Sequence, residues 1–210
     1  MNDPYLYDDV PVLKNKLGIK DYEKLRQAEA DICFAKLLSV GSIEHDKLDD
    51  EYLRAIHKHI LGDVFDWAGN YRIVQMEKPE EILGGDTIRY AFPKDIAPQT
   101  KQYLKEINKQ KWNAMSVTTR AAKFTELFAS LWQVHPFRDG NTRSVVAFSA
   151  QFAKEKGFPF NFQLLLQNFG YVRKAFVKAC DGQYADRSYL QRIIFDAMGG
   201  YKEKEENIIE

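Results

Sequence analysis

His135-Pro136-Phe137-Arg138-Asp139-Gly140-Asn141-Thr142-Arg143 separates two runs of helical apolar spacing, Val117 to Val134 and Thr142 to Lys156. Pro136 disfavours the α conformation for the residue before it, so the first run is predicted to end as a helix at His135 with the imidazole at its C-terminal tip. Gly140 can take backbone angles barred to other residues. Asn141 and Thr142 stand where a helix N-cap belongs, and the free N–H groups and dipole of the helix that follows favour an anion there. Gly157 then supplies a natural C-terminal stop.

Further helices are expected on both sides. Asp21 to Ser39 places Leu25, Ala28, Ile32, Cys33, Ala35, Leu37 and Leu38 near helical spacing behind a capping Asp. Asp49 to Leu61, Ile96 to Asn108, Leu164 to Ala179 and Arg187 to Met198 read in the same way. The pattern breaks once, from Asn70 to Phe92. Tyr71 to Gln75 and Thr87 to Phe92 alternate as strands do, and Gly84-Gly85-Asp86 can turn between them. A hairpin of this size is marginal alone and must lean on the helical body. Its outer edge would offer unpaired backbone groups to an extended peptide, or serve simply as a surface flap.

The loop's side chains suit phosphoryl-type transfer. Arg143 can fork its guanidinium onto phosphate oxygens. Asp139, the one carboxylate in the loop, suits Mg²⁺, which takes one or two carboxylates beside phosphate oxygens. His135 is largely neutral at pH 7 and can accept a proton. Burial of Phe137 would pin the loop by roughly 1.5–3 kcal/mol.

The rest of the 210-residue chain mainly narrows the field. Lys plus Arg and Asp plus Glu each total 30, so no global field draws the protein to nucleic acid or to an anionic membrane. The N-terminus lacks an apolar signal core, and the expectation is a cytoplasmic protein without a membrane partner. Cys33 and Cys180 lie in apolar helical patterns and read as reduced, buried thiols. His57 and His59 are two apart, a poor metal pair on a helix, and His45 reads as solvent-facing.

His135-Pro-Phe-Arg-Asp-Gly-Asn-Thr-Arg143 closely resembles the signature of the Fic (Fido) family, His-x-Phe-x-(Asp/Glu)-Gly-Asn-(Gly or other)-Arg. Asp3-Pro-Tyr-Leu-Tyr, Leu13-Lys-Asn-Lys-Leu-Gly-Ile19, Phe65-Asp-Trp-Ala-Gly69 and Thr87 to Pro93 extend the resemblance along most of the chain. It implies an all-α bundle with a small β-hairpin flap over the site, a single domain over residues 1–200 and a charged tail over 201–210. It further implies transfer of AMP from ATP, with Mg²⁺, to a Ser, Thr or Tyr hydroxyl of a target protein.

By matching position, the resemblance makes His135 the general base and Asp139 the metal ligand. Gly140, Asn141, Thr142 and Arg143 would form the phosphate pocket, and Phe137 the buried anchor. Thr87, Ile88, Arg89, Tyr90, Ala91 and Phe92 would align the target as an added strand.

Two positions depart from the family pattern. Val146 stands where many members carry a second arginine, and Thr142 where most carry glycine. Small relatives with that threonine variant place an inhibitory glutamate in a C-terminal (Ser/Thr)-x-x-x-Glu-(Gly/Asn) motif. Here Glu206-Asn207 keeps the last two residues without the Ser/Thr. Glu206 is therefore the expected self-inhibitory residue, a separate small antitoxin-like partner being the other source of such a glutamate. The sequence is compatible with a homo-oligomer. Transfer of another phosphate-linked group (kinase-like, UMP or phosphocholine) and a non-catalytic peptide-binding module remain the alternative functions.

Overall fold

Asp21, Asp49 and Ser116 each turn a side-chain oxygen onto free N–H groups of the helix that follows, and Pro93 opens another at its first position. In the computed structural model, which describes residues 3–200, eight α-helices result. They are α1 (Tyr22–Leu38), α2 (Asp50–Leu61), α3 (Pro93–Lys109), α4 (Val117–Val134), α5 (Asn141–Lys156), α6 (Phe162–Gln167), α7 (Phe169–Ala179) and α8 (Ser188–Ala197). Among these residues no helix is long and apolar enough to cross a membrane.

The central helix is α4, packed by α3, α5, α7 and α8, while α5 also rests on α2 and α1 covers α2. Phe124 and Phe128 stack at 3.8 Å on one face of α4, and Phe148 and Phe152 of α5 meet them. Most of α5 is buried, as a helix at the centre of a bundle requires. Cys33 and Cys180 are both buried and unpaired.

The structure revises two expectations. The run from Leu164 to Ala179 is two helices, because Asn168 leaves helical angles at φ −110° and ψ 28°, its side-chain amide sharing the Leu164 carbonyl with its own backbone N–H. His45 is exposed, as expected, while its ring stacks on Tyr52 at 3.6 Å and pairs with Glu155 at 2.9 Å. The hairpin does not form. No strand occurs among the described residues, and the isolated bridge at Thr87 is to Pro79 in the connection, outside the expected strand Tyr71 to Gln75. Pro79 has no N–H to give a ladder. Arg72 sends its own N–H to Pro136 O at 2.8 Å, away from the flap. Residues 87–90 nonetheless keep a period of two, with Ile88 and Tyr90 buried and Thr87 and Arg89 outward.

The contact that positions the loop 135–141 comes from His57 on α2. The N–H of Gly69 donates to His57 Nδ1 at 2.8 Å, so Nε2 carries the hydrogen and donates to the Asp139 carbonyl at 3.0 Å. The ring stacks on Phe137 at 3.8 Å. Gly140 lies against the same wall with φ of 74°, and a Cβ there would run into Leu61 and approach His57.

Burial pushes the His57 pKa down to about 4. Between its ordinary value of 6.5 and that value the unfolded chain binds more protons than the folded one, so stability falls with decreasing pH across this window and levels off below it. The loss amounts to on the order of 3 kcal/mol. Urea titrations at several pH values should find this slope reduced in His57→Asn, and an identical slope in both proteins would refute the assignment.

Candidate active site

His135 is the C-cap of α4 and has left-handed backbone angles, φ 52° and ψ 59°. Among the described residues it is the one non-glycine with positive φ, and for an imidazole-bearing residue such a conformation needs outside support. Buried Arg72 provides it, donating Nε to His135 O at 2.8 Å, Nη1 to Val74 O at 2.6 Å and Nη2 to Ala91 O at 2.5 Å. One guanidinium thus ties the histidine's backbone to both segments of the flap. Burial lowers its pKa to about 10, and it stays charged at pH 7.

The imidazole of His135 stacks on Tyr90 at 4.0 Å and meets Trp132 edge-on at 5.2 Å. Both ring nitrogens are buried and make no hydrogen bond. Burial, with the nearby Lys78 ammonium, holds its pKa well below the ordinary value, so the ring is neutral and able to take a proton. A buried imidazole left unpaired is destabilising, and such groups call for a functional explanation.

Beyond the histidine the side chains of Phe137, Asn141 and Thr142 turn inward. Phe137 is fully buried between His57 and Tyr71. Asn141 does not cap α5. It accepts from Phe137 N at 2.9 Å and donates to Phe137 O at 2.8 Å, closing the loop on itself. Thr142 accepts from Trp132 Nε1 at 2.9 Å. The N-cap is Gly140, with no side-chain cap bond, so the first N–H groups of α5 have neither an intrahelical acceptor nor a side-chain cap. Arg138 anchors the outer side by donating to Asp3 at 2.7 and 3.1 Å.

Asp139 accepts from Gly140 N at 2.6 Å and faces Lys78 at 3.7 Å and Arg143 at 3.8 Å. Burial would raise its pKa, but Lys78, Arg143 and the Gly140 N–H outweigh this and hold the carboxyl well below the usual range. Arg143 donates to Glu29 of α1 and, at 3.2 Å, to Cys33 Sγ. The loop opens on a cleft of about 290 Å³ with two unlike halves. Lys78, His135, Asp139 to Arg143 and Arg173 line the polar half; Ala30, Cys33, Phe34, Leu37, Leu166 and Phe169 line the apolar one. A second cleft adjoins it and shares Lys78, Asp139, Arg143 and Arg173.

His135, Asp139, Gly140, Asn141, Thr142 and Arg143 are therefore gathered around one cavity, whereas Thr87 to Phe92 do not line it. Glu206 lies outside the described residues; within them the carboxylate on Arg143 is that of Glu29. Sequence reasoning missed Glu29, His57, Arg72 and Lys78. His57 had a signal, since it lies four positions after Leu53 and three before Ile60 on the buried face of its helix, whereas Arg72 stands beside exposed Ile73 and had none. Among the described residues no cluster of three or more His, Cys, Asp or Glu side chains could hold a metal alone. A cation here would need ligand oxygens besides Asp139.

The Fic/DOC family profile matches residues 47–153, about half the chain. The chain is similar to the protein adenylyltransferase VbhT of Bartonella schoenbuchensis, 32% identical over 159 residues, which is 75% of this chain and 32% of VbhT. It thus spans about a third of that relative's length. It is also similar to the probable protein adenylyltransferase Fic of Escherichia coli, 30% identical over 77% of each chain. Among solved structures, BepC of Bartonella tribocorum with bound AMPPNP superposes with a TM-score of 0.77 at 25% identity, covering 94% of this chain and 97% of that one. The chain belongs to the Fic/DOC family.

Proposed function

We propose that this protein transfers AMP from ATP to a hydroxyl side chain of a target protein, with His135 as general base. The observation that carries the proposal is the imidazole of His135, neutral, buried and without a hydrogen-bond partner, on the cavity that the uncapped end of α5 also faces. Similarity to proteins named adenylyltransferases and to a structure holding an ATP analogue supports the same reading.

The target's Ser, Thr or Tyr oxygen attacks the α-phosphorus, and its proton passes to the His135 ring. An O–Pα bond forms, the bond from Pα to the bridging oxygen breaks, and pyrophosphate leaves. The N–H groups at the start of α5 hold phosphate oxygens where negative charge grows, and Arg143 steadies the outer phosphates. The apolar half of the cleft receives the base. Much of the rate then comes from positioning and charge stabilisation, as in phosphoryl transfer generally.

Asp139 fits Mg²⁺: its pKa is depressed, its side chain is about a third exposed towards the cleft, and its present charge partners lie beyond hydrogen-bond range. Bound there with phosphate oxygens, Mg²⁺ would neutralise charge on the transferring group. The flap residues 87–92 lie beside the site, with Tyr90 stacked on His135, and the target segment lies along them as an added strand. Glu206 in the tail obstructs the outer phosphates in the resting enzyme, or a separate small inhibitor does so.

Incubation with ATP labelled on the α-phosphate, Mg²⁺ and cell lysate should label protein bands. ATP labelled on the γ-phosphate should label none, and the reverse result would point to a kinase-like reaction. His135→Asn, which tolerates the left-handed backbone, should lose at least about a hundredfold in rate while still binding ATP. Full activity in that variant would remove the base from the mechanism. Asp139→Ala should abolish the dependence of ATP affinity on Mg²⁺ measured by calorimetry, and an unchanged dependence would place the ion elsewhere. Glu206→Gly should raise self-modification, and no rise would leave the tail without a role.

A further inference from the structure

Four cationic side chains stand around the mouth of α5, and three are already committed. Arg138 is held by Asp3, Arg143 by Glu29 and Cys33, and Arg173 by two hydrogen bonds to the buried carboxylate of Glu80 at 2.7 and 2.8 Å. Lys78 differs. Its one ion pair is with Asp139 at 3.7 Å, beyond hydrogen-bond range, and among the described residues its ammonium makes no hydrogen bond. It lines both clefts, facing the same carboxylate oxygen of Asp139 that Arg143 faces.

The Lys78 backbone is placed firmly. Its N–H donates to Thr87 Oγ1 at 2.9 Å, and the next residue forms the bridge to Thr87. Glu80, pinned by Arg173, closes the rest of that loop through Glu80 N to Asp86 O at 2.9 Å and Gly85 N to Glu80 O at 3.1 Å. A long, flexible cation on a fixed base is well suited to reach an anion in the cleft. The opposite wall supplies little beyond Arg143: Val146, one turn along α5, is buried and lines neither cleft.

We propose that Lys78 is a nucleotide-binding residue that grips the outer phosphates of a nucleoside triphosphate from across the cleft, a second cation in place of one from α5. The inference rests on the ATP reading of this site. It makes the loop before the flap part of phosphate recognition, and it confines Lys78's contribution to ligands that carry phosphates beyond the first.

Calorimetric titration of the full chain with a non-hydrolysable ATP analogue and with AMP, both with Mg²⁺, tests this. Lys78→Met keeps the apolar stem and removes the charge. It should weaken the triphosphate about tenfold, the effect of one charge-assisted hydrogen bond, and leave AMP within about twofold. Lys78→Arg should retain most of the triphosphate affinity. Equal weakening of both ligands, or none of either, would overturn the role of Lys78 while leaving the ATP site in place. A wild-type protein that binds neither ligand would overturn the ATP reading and this inference with it.

Discussion

Arg72 lies 1% exposed under the loop, and its guanidinium donates to carbonyl oxygens of three separate segments. Burying a cation without a carboxylate is expensive unless oriented dipoles replace water. Here the carbonyl of His135 and the more distant one of Val134, at the C-terminal end of α4, supply those dipoles where the helix carries partial negative charge. The same contact stabilises a backbone conformation that a histidine would otherwise avoid. Loss of that turn would move the imidazole and both flap segments together, because they hang from one guanidinium.

A division of labour follows along the loop. Phe137, Asn141 and Thr142 spend their side chains on the protein itself, through stacking on His57, a closed pair of bonds to Phe137 and a bond from Trp132. The backbone N–H groups of Asn141 and Thr142, at the start of α5, are thereby left for the cleft. Anion recognition through main chain requires this inversion, since side-chain caps would fill the same space. Gly140 belongs to the scheme for a steric reason: the wall formed by Leu61 and His57 leaves no room for a Cβ.

Much of this was legible from local patterns. The span of α4 matches the periodicity of Val117 to Val134, since its apolar stripe and the caps that flank it, Ser116 and His135, are encoded in one continuous stretch. The site loop was legible for a similar reason, as Pro136, Gly140 and Arg143 act over a few positions. Asn141 was misjudged as a cap because its alternative partner, the Phe137 backbone, becomes reachable only once the loop has folded back. The flap was misjudged because alternation reports which side chains face the body and says nothing of whether a neighbouring strand's N–H groups are free to pair.

Sequence alone determined the helical order, the family resemblance and the residues gathered at the turn, because those depend on contacts between near neighbours. Tertiary structure decided what holds them. His57 is 82 positions from the carbonyl it binds, Arg72 is 63 from the histidine it supports, and Glu29 is 114 from Arg143. Such partners are set by how helices pack, and no spacing along the chain records them.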